Sequence, residues 1–509
     1  MPRKNKKKKN YGAVLVIAVI ILIIGLLSLF LNLIGFDSSQ TIISNKNVET
    51  TLVIVKNLLS IDGLKFIFGK TVDNFRNFEP LVLLIISVIG VGICEKSGFL
   101  STIFQPLRRV KLNIIIFLTI FVGVIGTVVG DNSYIFLIPL VGSMYKYIGK
   151  NPILGIFSVF LGITVGYGTG LVVNYTDYNL SEMTQLAARV SVDSSFDYNL
   201  FSNIYIMIVS TFVITFILTI LIEKFLVTKI NKRYVIDEEE QELVIDKKAK
   251  RKTFLISLVY IFLILYMILP IKMPGAGILL DNSADRYMDK LFGSNSAFNN
   301  GLPIILTALL MIWGYVYGRL SGNIKDSHEF SLGLSKNFEN LGFMFVLMFF
   351  ISELTAIIDW TNIGTVFASK IIELVGSLQL SGILLIIIFF IAVVLMSILL
   401  PDTVAKWNIA SPVIVPLFMQ SNITPAFTQF IFRVADGVGK AFTPIYVYYI
   451  IMLAFLEKYR TNEKNQISIF GILKDLFPII LIMAITWLIL IVIWYVMNLP
   501  IGINTITTL

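Results

Sequence analysis

Six charged side chains sit where the surrounding sequence is apolar: Asp131, Asp402, Lys406, Arg433, Asp436 and Lys440. Asp131 lies in the break Gly130-Asp131-Asn132-Ser133, which ends the apolar run 112–129. Asp402 lies in Pro401-Asp402-Thr403, which ends the run 380–400. A Lys, Arg or Asp at the centre of a membrane helix costs roughly 2.5–3.5 kcal/mol on insertion scales. Six of them facing lipid are untenable, so they must pair with one another or line a wet cavity. The backbone groups freed at each break also need partners inside the protein. A broken helix presents N–H groups at a positive dipole end, suited to an anion, and carbonyls at a negative end, suited to a cation. Two facing breaks therefore make a site for an anion and a coupling ion.

The segment Arg433-Val-Ala-Asp436-Gly-Val-Gly-Lys440 is the most informative. At helical spacing its three charges share one face. Two readings are open. The charges form a structural ion-pair cluster, or two cations and one acid leave a net positive site where the planar fork of Arg433 binds a carboxylate. Trp407, beside the second break, is either a core residue or a platform for an aromatic ligand. Other chemistries lack their parts. A single Cys, Cys94, and a single His, His328, cannot build the usual zinc site. A lone His in a polar loop supports no Ser-His-Asp relay. Gly166-Tyr-Gly-Thr-Gly170 has no following Lys-Ser/Thr and reads as a kinked, closely packed helix rather than a phosphate loop. Paired Asp residues suggest an intramembrane enzyme as a rival, but the segment 434–440 does not match the Gly-x-Gly-Asp pattern of intramembrane aspartyl proteases.

The elements that must position these residues are membrane helices. Of 509 residues, 56% are hydrophobic and only 14% charged, against about 25% charged in a soluble domain. Apolar runs of about 20 residues recur, each long enough for a ~30 Å hydrocarbon core. The fold class is an all-α polytopic membrane protein. The net charge of +9 does not point to nucleic acid, because the Lys and Arg cluster in short loops beside apolar spans, the cytoplasmic-loop bias. Residues 1–10 form a basic cytoplasmic tail. Residues 11–222 form a first transmembrane half, with spans at 11–35 and 203–222. Residues 223–252, with nine Lys/Arg, form a cytoplasmic linker. Residues 253–499 form a second half, with spans at 253–269, 302–317 and 476–496, and 500–509 is an external tail. The segments 174–202 and 271–300 are poor in Lys/Arg and are also expected outside. A cytoplasmic N-terminus and an external C-terminus require an odd number of crossings.

Two stretches, about 80–173 and 341–456, repeat one pattern: an apolar run, a polar interruption, a second run with a break, an apolar resumption through Ile-Pro-Leu (138–140) or Val-Pro-Leu (415–417), and a closing segment with glycine and acid. Loop charges place the start of the first outside and of the second inside. Similar units in opposite orientation are the inverted repeat of secondary transporters, with re-entrant hairpins and broken helices.

The chain also resembles the p-aminobenzoyl-glutamate transporter (AbgT) family over nearly its whole length. The matching blocks are LLSIDGLKFIF at 58–68, NFEPLVLLIISVIGVGICEKSGFL at 77–100, DNSYIFLIPL at 131–140, DWTNIG at 359–364, AKW at 405–407 and RVAD at 433–436. The resemblance implies a homodimeric inner-membrane transporter that takes up p-aminobenzoyl-glutamate or exports sulfonamide-type antimetabolites on an ion gradient. It carries functional positions onto Asp177, Trp407, Arg433, Asp436 and Pro444, and Asp131 matches the family's acid before its Tyr. The chain departs from the family at Pro401-Asp402-Thr403-Val404, at Val434-Ala435-Asp436-Gly437 and at Lys440.

The combined expectation is a secondary active carrier of a small anionic, aromatic compound, with a proton or sodium gradient as driving force and no cofactor or metal. Arg433 binds a substrate carboxylate, Trp407 stacks on an aryl group, and Asp436 orients Arg433 or carries a proton. Lys440 and Pro444 complete the substrate site, and Asp177, Asp131 and Asp402 are coupling candidates. Lys440 either replaces a coupling cation or forms a structural pair with Asp436. A di- or tricarboxylate carrier is the nearest alternative, and a channel is a more distant one.

Overall fold

The computed structural model describes residues 12–44, 47–233, 246–338, 341–459 and 467–509. The basic tail 1–10 and residues 234–245 of the linker lie outside the described residues. The first half contains α1 (Ala13–Leu33), a hairpin of β1 (Asp37–Ser44) and β2 (Asn47–Ile54), α2 (Ile61–Arg76), α3 (Glu79–Lys96), α4 (Phe99–Phe104), α5 (Leu112–Gly126), α6 (Asn132–Tyr147), α7 (Pro152–Val165), α8 (Tyr175–Ser191), α9 (Ile204–Ile222) and α10 (Thr228–Arg233). The second contains α11 (Lys247–Met267), α12 (Tyr287–Phe292), α13 (Ala297–Ser321), α14 (Ser327–Ser335), α15 (Gly342–Thr361), α16 (Ile363–Ser377), α17 (Gly382–Leu399), α18 (Thr403–Gln420), α19 (Pro425–Phe442), α20 (Val447–Lys458) and α21 (Ile469–Val496), then a small hairpin of β3 (Pro500–Gly502) and β4 (Thr505–Ile506). Eight helices among the described residues are long and apolar enough to cross a membrane, or nine if α19 and α20, bent by 43°, count as one span.

The inverted repeat is explicit. The hairpin α3–α4 corresponds to α15–α16, the broken helix α5–α6 to α17–α18, and the broken helix α7–α8 to α19–α20. Pro139 lies inside α6 and Pro416 inside α18. Within each repeat the first half of one broken helix packs on that of the other, α5 on α7 and α17 on α19. Between repeats the second halves cross over, α8 packing on α18 and α20 on α6. The two repeats therefore share one core.

Contacts between connections fix the opposed directions. At one end, Asn323 donates to the Ser97 carbonyl, Lys458 to Asn337, and Arg233 and Lys229 pair with Asp475 near the start of α21. At the other end of α21, the C-terminal tail pairs with the α18–α19 connection, Thr424 N donating to the Thr507 carbonyl, and Thr505 bonds Ser202. α3 runs toward the Asn323 end, whereas α15 begins there and ends at Thr361, whose carbonyl accepts from Lys56 N. The segment 174–202 is not one external loop: its first part is α8, packed on α18 and α19, with Asp177 buried.

Candidate functional site

Each break has a local cause. Pro401 has no N–H and disfavours the helical conformation at the residue before it, so α17 cannot run on into α18. Asp402 restarts the chain as N-cap of α18, accepting from Ala405 N at 2.6 Å. Asp131 holds the equivalent place before α6 but makes no side-chain cap. Between α7 and α8 the chain is non-helical from Gly166 to Asn174, a true break where the sequence suggests a kinked helix. Asn174 restarts it with a capping box, bonding Asp177 N at 2.8 Å while Asp177 reaches back to Asn174 N. Carboxylates at these helix N-termini are stabilised by the exposed N–H groups. In α19, Gly437 and Gly439 let the backbone approach its neighbours. A Cβ at Gly439 would meet Ser397 Cβ at 2.6 Å, and one at Gly437 would collide with the Thr164 carbonyl of α7.

The breaks enclose a cavity of about 530 Å³. Asp131 and Asp402 both line it, so the two expected breaks do face each other. Glu79 and Lys440 are its other charged walls, and Tyr167, Tyr175, Tyr446 and Tyr448 supply aromatic surface. Three carboxylates therefore oppose one ammonium, where the sequence suggests a net positive site. Tyr446 OH lies 3.5 Å from Asp131 Oδ1.

Behind this wall runs a buried network that joins the repeats. Trp407 Nε1 donates to Thr184 Oγ1 at 3.0 Å, the Thr184 hydroxyl bonds Gln429 Oε1, and Gln429 Nε2 donates to the Asp177 carbonyl at 3.3 Å. The Asp177 carboxylate pairs with Arg433, whose other arm bonds the Tyr167 carbonyl in the first-repeat break. The cation that satisfies this break carbonyl is thus a side chain of the protein. Arg433 is 1% exposed, and its fork is not turned to the cavity as the sequence reading has it. Its orienting carboxylate is Asp177 of the other repeat, not Asp436. Trp407 is likewise buried, packed on Phe432 with ring centroids 4.5 Å apart, and does not line the cavity.

Asp436 is paired elsewhere. Lys406 and Lys440 both pair with its carboxylate, and Thr403 Oγ1 donates to it at 2.6 Å. Lys440 and Asp436, one turn apart on α19, lie 3.3 Å apart. Lys440 Nζ also sits 4.2 Å from the ring centroid of Tyr167 and 5.2 Å from that of Tyr446, within cation–π range. Pro444 falls in the α19–α20 break. Of the expected site residues, Asp131, Asp402 and Lys440 line the cavity, while Asp177, Trp407, Arg433 and Asp436 form the layer behind it. The four tyrosines, Glu79, Thr184 and Gln429 carry no chemical signal in the sequence; position in or next to a break is the one feature that marks Tyr167, Tyr175, Tyr446 and Tyr448.

Broken helices, a polar cavity between inverted repeats and membrane-crossing helices define a multi-span membrane transporter. The AbgT putative transporter family model matches residues 11–509, and the chain belongs to that family. A curated relative, the p-aminobenzoyl-glutamate transport protein of Escherichia coli (strain K12), is 25% identical over 468 residues, covering 90% of this chain and 88% of the relative. Among solved structures, MtrF of Neisseria gonorrhoeae, described as illuminating a class of antimetabolite efflux pumps, shares the fold at 24% identity and a TM-score of 0.50, covering 96% of each chain. The YdaH transporter of Alcanivorax borkumensis has 25% identity and a TM-score of 0.49, covering 96% of this chain and 99% of that one.

Proposed function

We propose that the chain is a secondary active carrier for p-aminobenzoyl-glutamate or a related small aromatic carboxylate, working by ion-coupled alternating access. The observation that carries this reading is the cavity, walled by breaks from both repeats, so that rocking one repeat against the other would open it to either side. Its volume suits a small solute. Tyr167, Tyr175, Tyr446 and Tyr448 offer the aryl surface that Trp407, being buried, does not. Glu79, Asp131 and Asp402 make it too acidic for an anion to enter alone, so an anionic substrate must bring protons or cations with it. Asp131 is the coupling carboxylate we favour, because Asp402 is committed to its cap and Asp177 and Asp436 to ion pairs. The relative's substrate and the antimetabolite efflux of the Neisseria protein make both transport directions worth measuring. We place the carrier in the inner membrane as a homodimer with its N-terminus in the cytoplasm, and assign it no catalysis.

The test is transport by reconstituted vesicles, comparing p-aminobenzoyl-glutamate with aliphatic dicarboxylates under imposed proton and sodium gradients. Saturable, gradient-driven movement that favours the aromatic compound supports the reading. Equal or better movement of aliphatic dicarboxylates would favour the di- or tricarboxylate carrier instead.

A further inference from the structure

Lys406 sits in a cage of oxygen. Its ammonium is held by the Asp436 carboxylate, by Ser397 Oγ at 2.7 Å and by the break carbonyl of Pro401 at 3.4 Å. A carboxylate, a hydroxyl and a carbonyl freed by a helix break are the oxygen donors that hold a small hard cation. Lys440 closes the other side of the same carboxylate. Its three N–H groups are used by the Thr403 hydroxyl, by Asp436 and by the face of Tyr167. A carboxylate offers about four acceptor directions. Lys406, Lys440 and Thr403 take three of them, and Ser397, whose hydroxyl proton goes to the Val393 carbonyl at 2.9 Å, crowds the fourth from 3.3 Å. All three donors and Ser397 belong to the second repeat, and Lys406, Asp436 and Lys440 are buried.

We propose that Lys406 and Lys440 are tethered counter-cations that fill an ion site at Asp436, so that this protein binds no sodium there and runs without sodium. The consequence for the carrier is that the Asp436 charge is balanced throughout its cycle. The exchangeable charge must then be taken by the cavity carboxylates, foremost Asp131, which has Tyr167 and Tyr446 beside it, lies within electrostatic reach of Lys440, Asp402, Asp436, Tyr134 and Tyr448 and shares its cavity with Glu79. This deepens the carrier reading, yet ion binding to purified protein can be read without any transport.

The experiment is thermal unfolding of the purified full chain in detergent, in sodium chloride against choline chloride at equal ionic strength. The unaltered protein should unfold at the same temperature in both. Lys406→Ala, which empties the oxygen cage, should gain a sodium-specific rise of roughly 2–4 °C at several times the sodium Kd. Lys440→Ala should gain a smaller one. Adding Asp436→Asn to either variant should remove the gain. A sodium-specific rise in the unaltered protein overturns the proposal, as does the absence of any sodium response in a folded Lys406→Ala. If neither lysine variant folds, the unaltered protein decides alone: equal midpoints support the proposal and a sodium-specific shift overturns it.

Discussion

Two buried charge clusters lie along one helix, α19, and they are built differently. Around Arg433 the charges balance one to one, and the carboxylate, Asp177, comes from the other repeat. Around Asp436 two lysines share one carboxylate, and every member comes from the second repeat. The first cluster ties the repeats together, so any motion of one against the other must respect or remake it. The second is a rigid block that moves with its own repeat and shows one ammonium to the cavity. A buried ion pair is a weak source of net stability, but removing one partner strands a charge. The one-to-one cluster should therefore be fragile to single substitutions. The two-to-one cluster should tolerate loss of one lysine, because a complete pair remains.

The largest expected effect follows from that contrast. Arg433→Ala or Asp177→Ala should each destabilise the protein by about 3–5 kcal/mol, read as a lower unfolding midpoint and poor yield. The double variant should recover part of the loss. Single variants as stable as the unaltered chain would break the comparison at its fragile end. Lys406→Ala in the other cluster should cost less, about 1.5–3 kcal/mol and chiefly for the charged bond to Asp436, because Lys440 still neutralises that carboxylate, and a loss matching that of Arg433→Ala would erase the distinction. Trp407→Phe should cost about 0.5–1.5 kcal/mol for its bond to Thr184 and should slow aromatic and aliphatic substrates alike. By contrast, Tyr446→Leu should slow aromatic substrates selectively, and a selective effect of Trp407→Phe would move that residue back into the substrate site. The smallest effect on stability belongs to Asp131→Asn, within about 0.5 kcal/mol. It should nonetheless abolish the response of uptake to a proton gradient, and a preserved response would assign coupling elsewhere.

The sequence made the repeats and the six misplaced charges legible, because polarity inside an apolar run is costly and has few explanations. It did not make the partners legible. Spacing along α19 sees only α19, so it groups Arg433 with Asp436 and Lys440, whereas the carboxylate that meets Arg433 is 256 positions away. Asp177 is masked further by its local task in the capping box of α8. The cavity tyrosines were invisible for the opposite reason: a Tyr in a membrane protein is ordinary, and only the breaks gather these four. The hairpin β1–β2, paired over 37–54, is also absent from the sequence reading, which follows membrane spans and passes over what lies between them.

Substrate counterflow tests the central claim, that this is a carrier with one alternating cavity. Vesicles holding the purified protein are preloaded with unlabelled p-aminobenzoyl-glutamate and diluted into a trace of the labelled compound, with no ion gradient imposed. A carrier returns its cavity loaded, so preloading should accelerate entry and produce a transient accumulation above equilibrium. Uptake that is indifferent to preloading and does not saturate would contradict the account and indicate a passive pore.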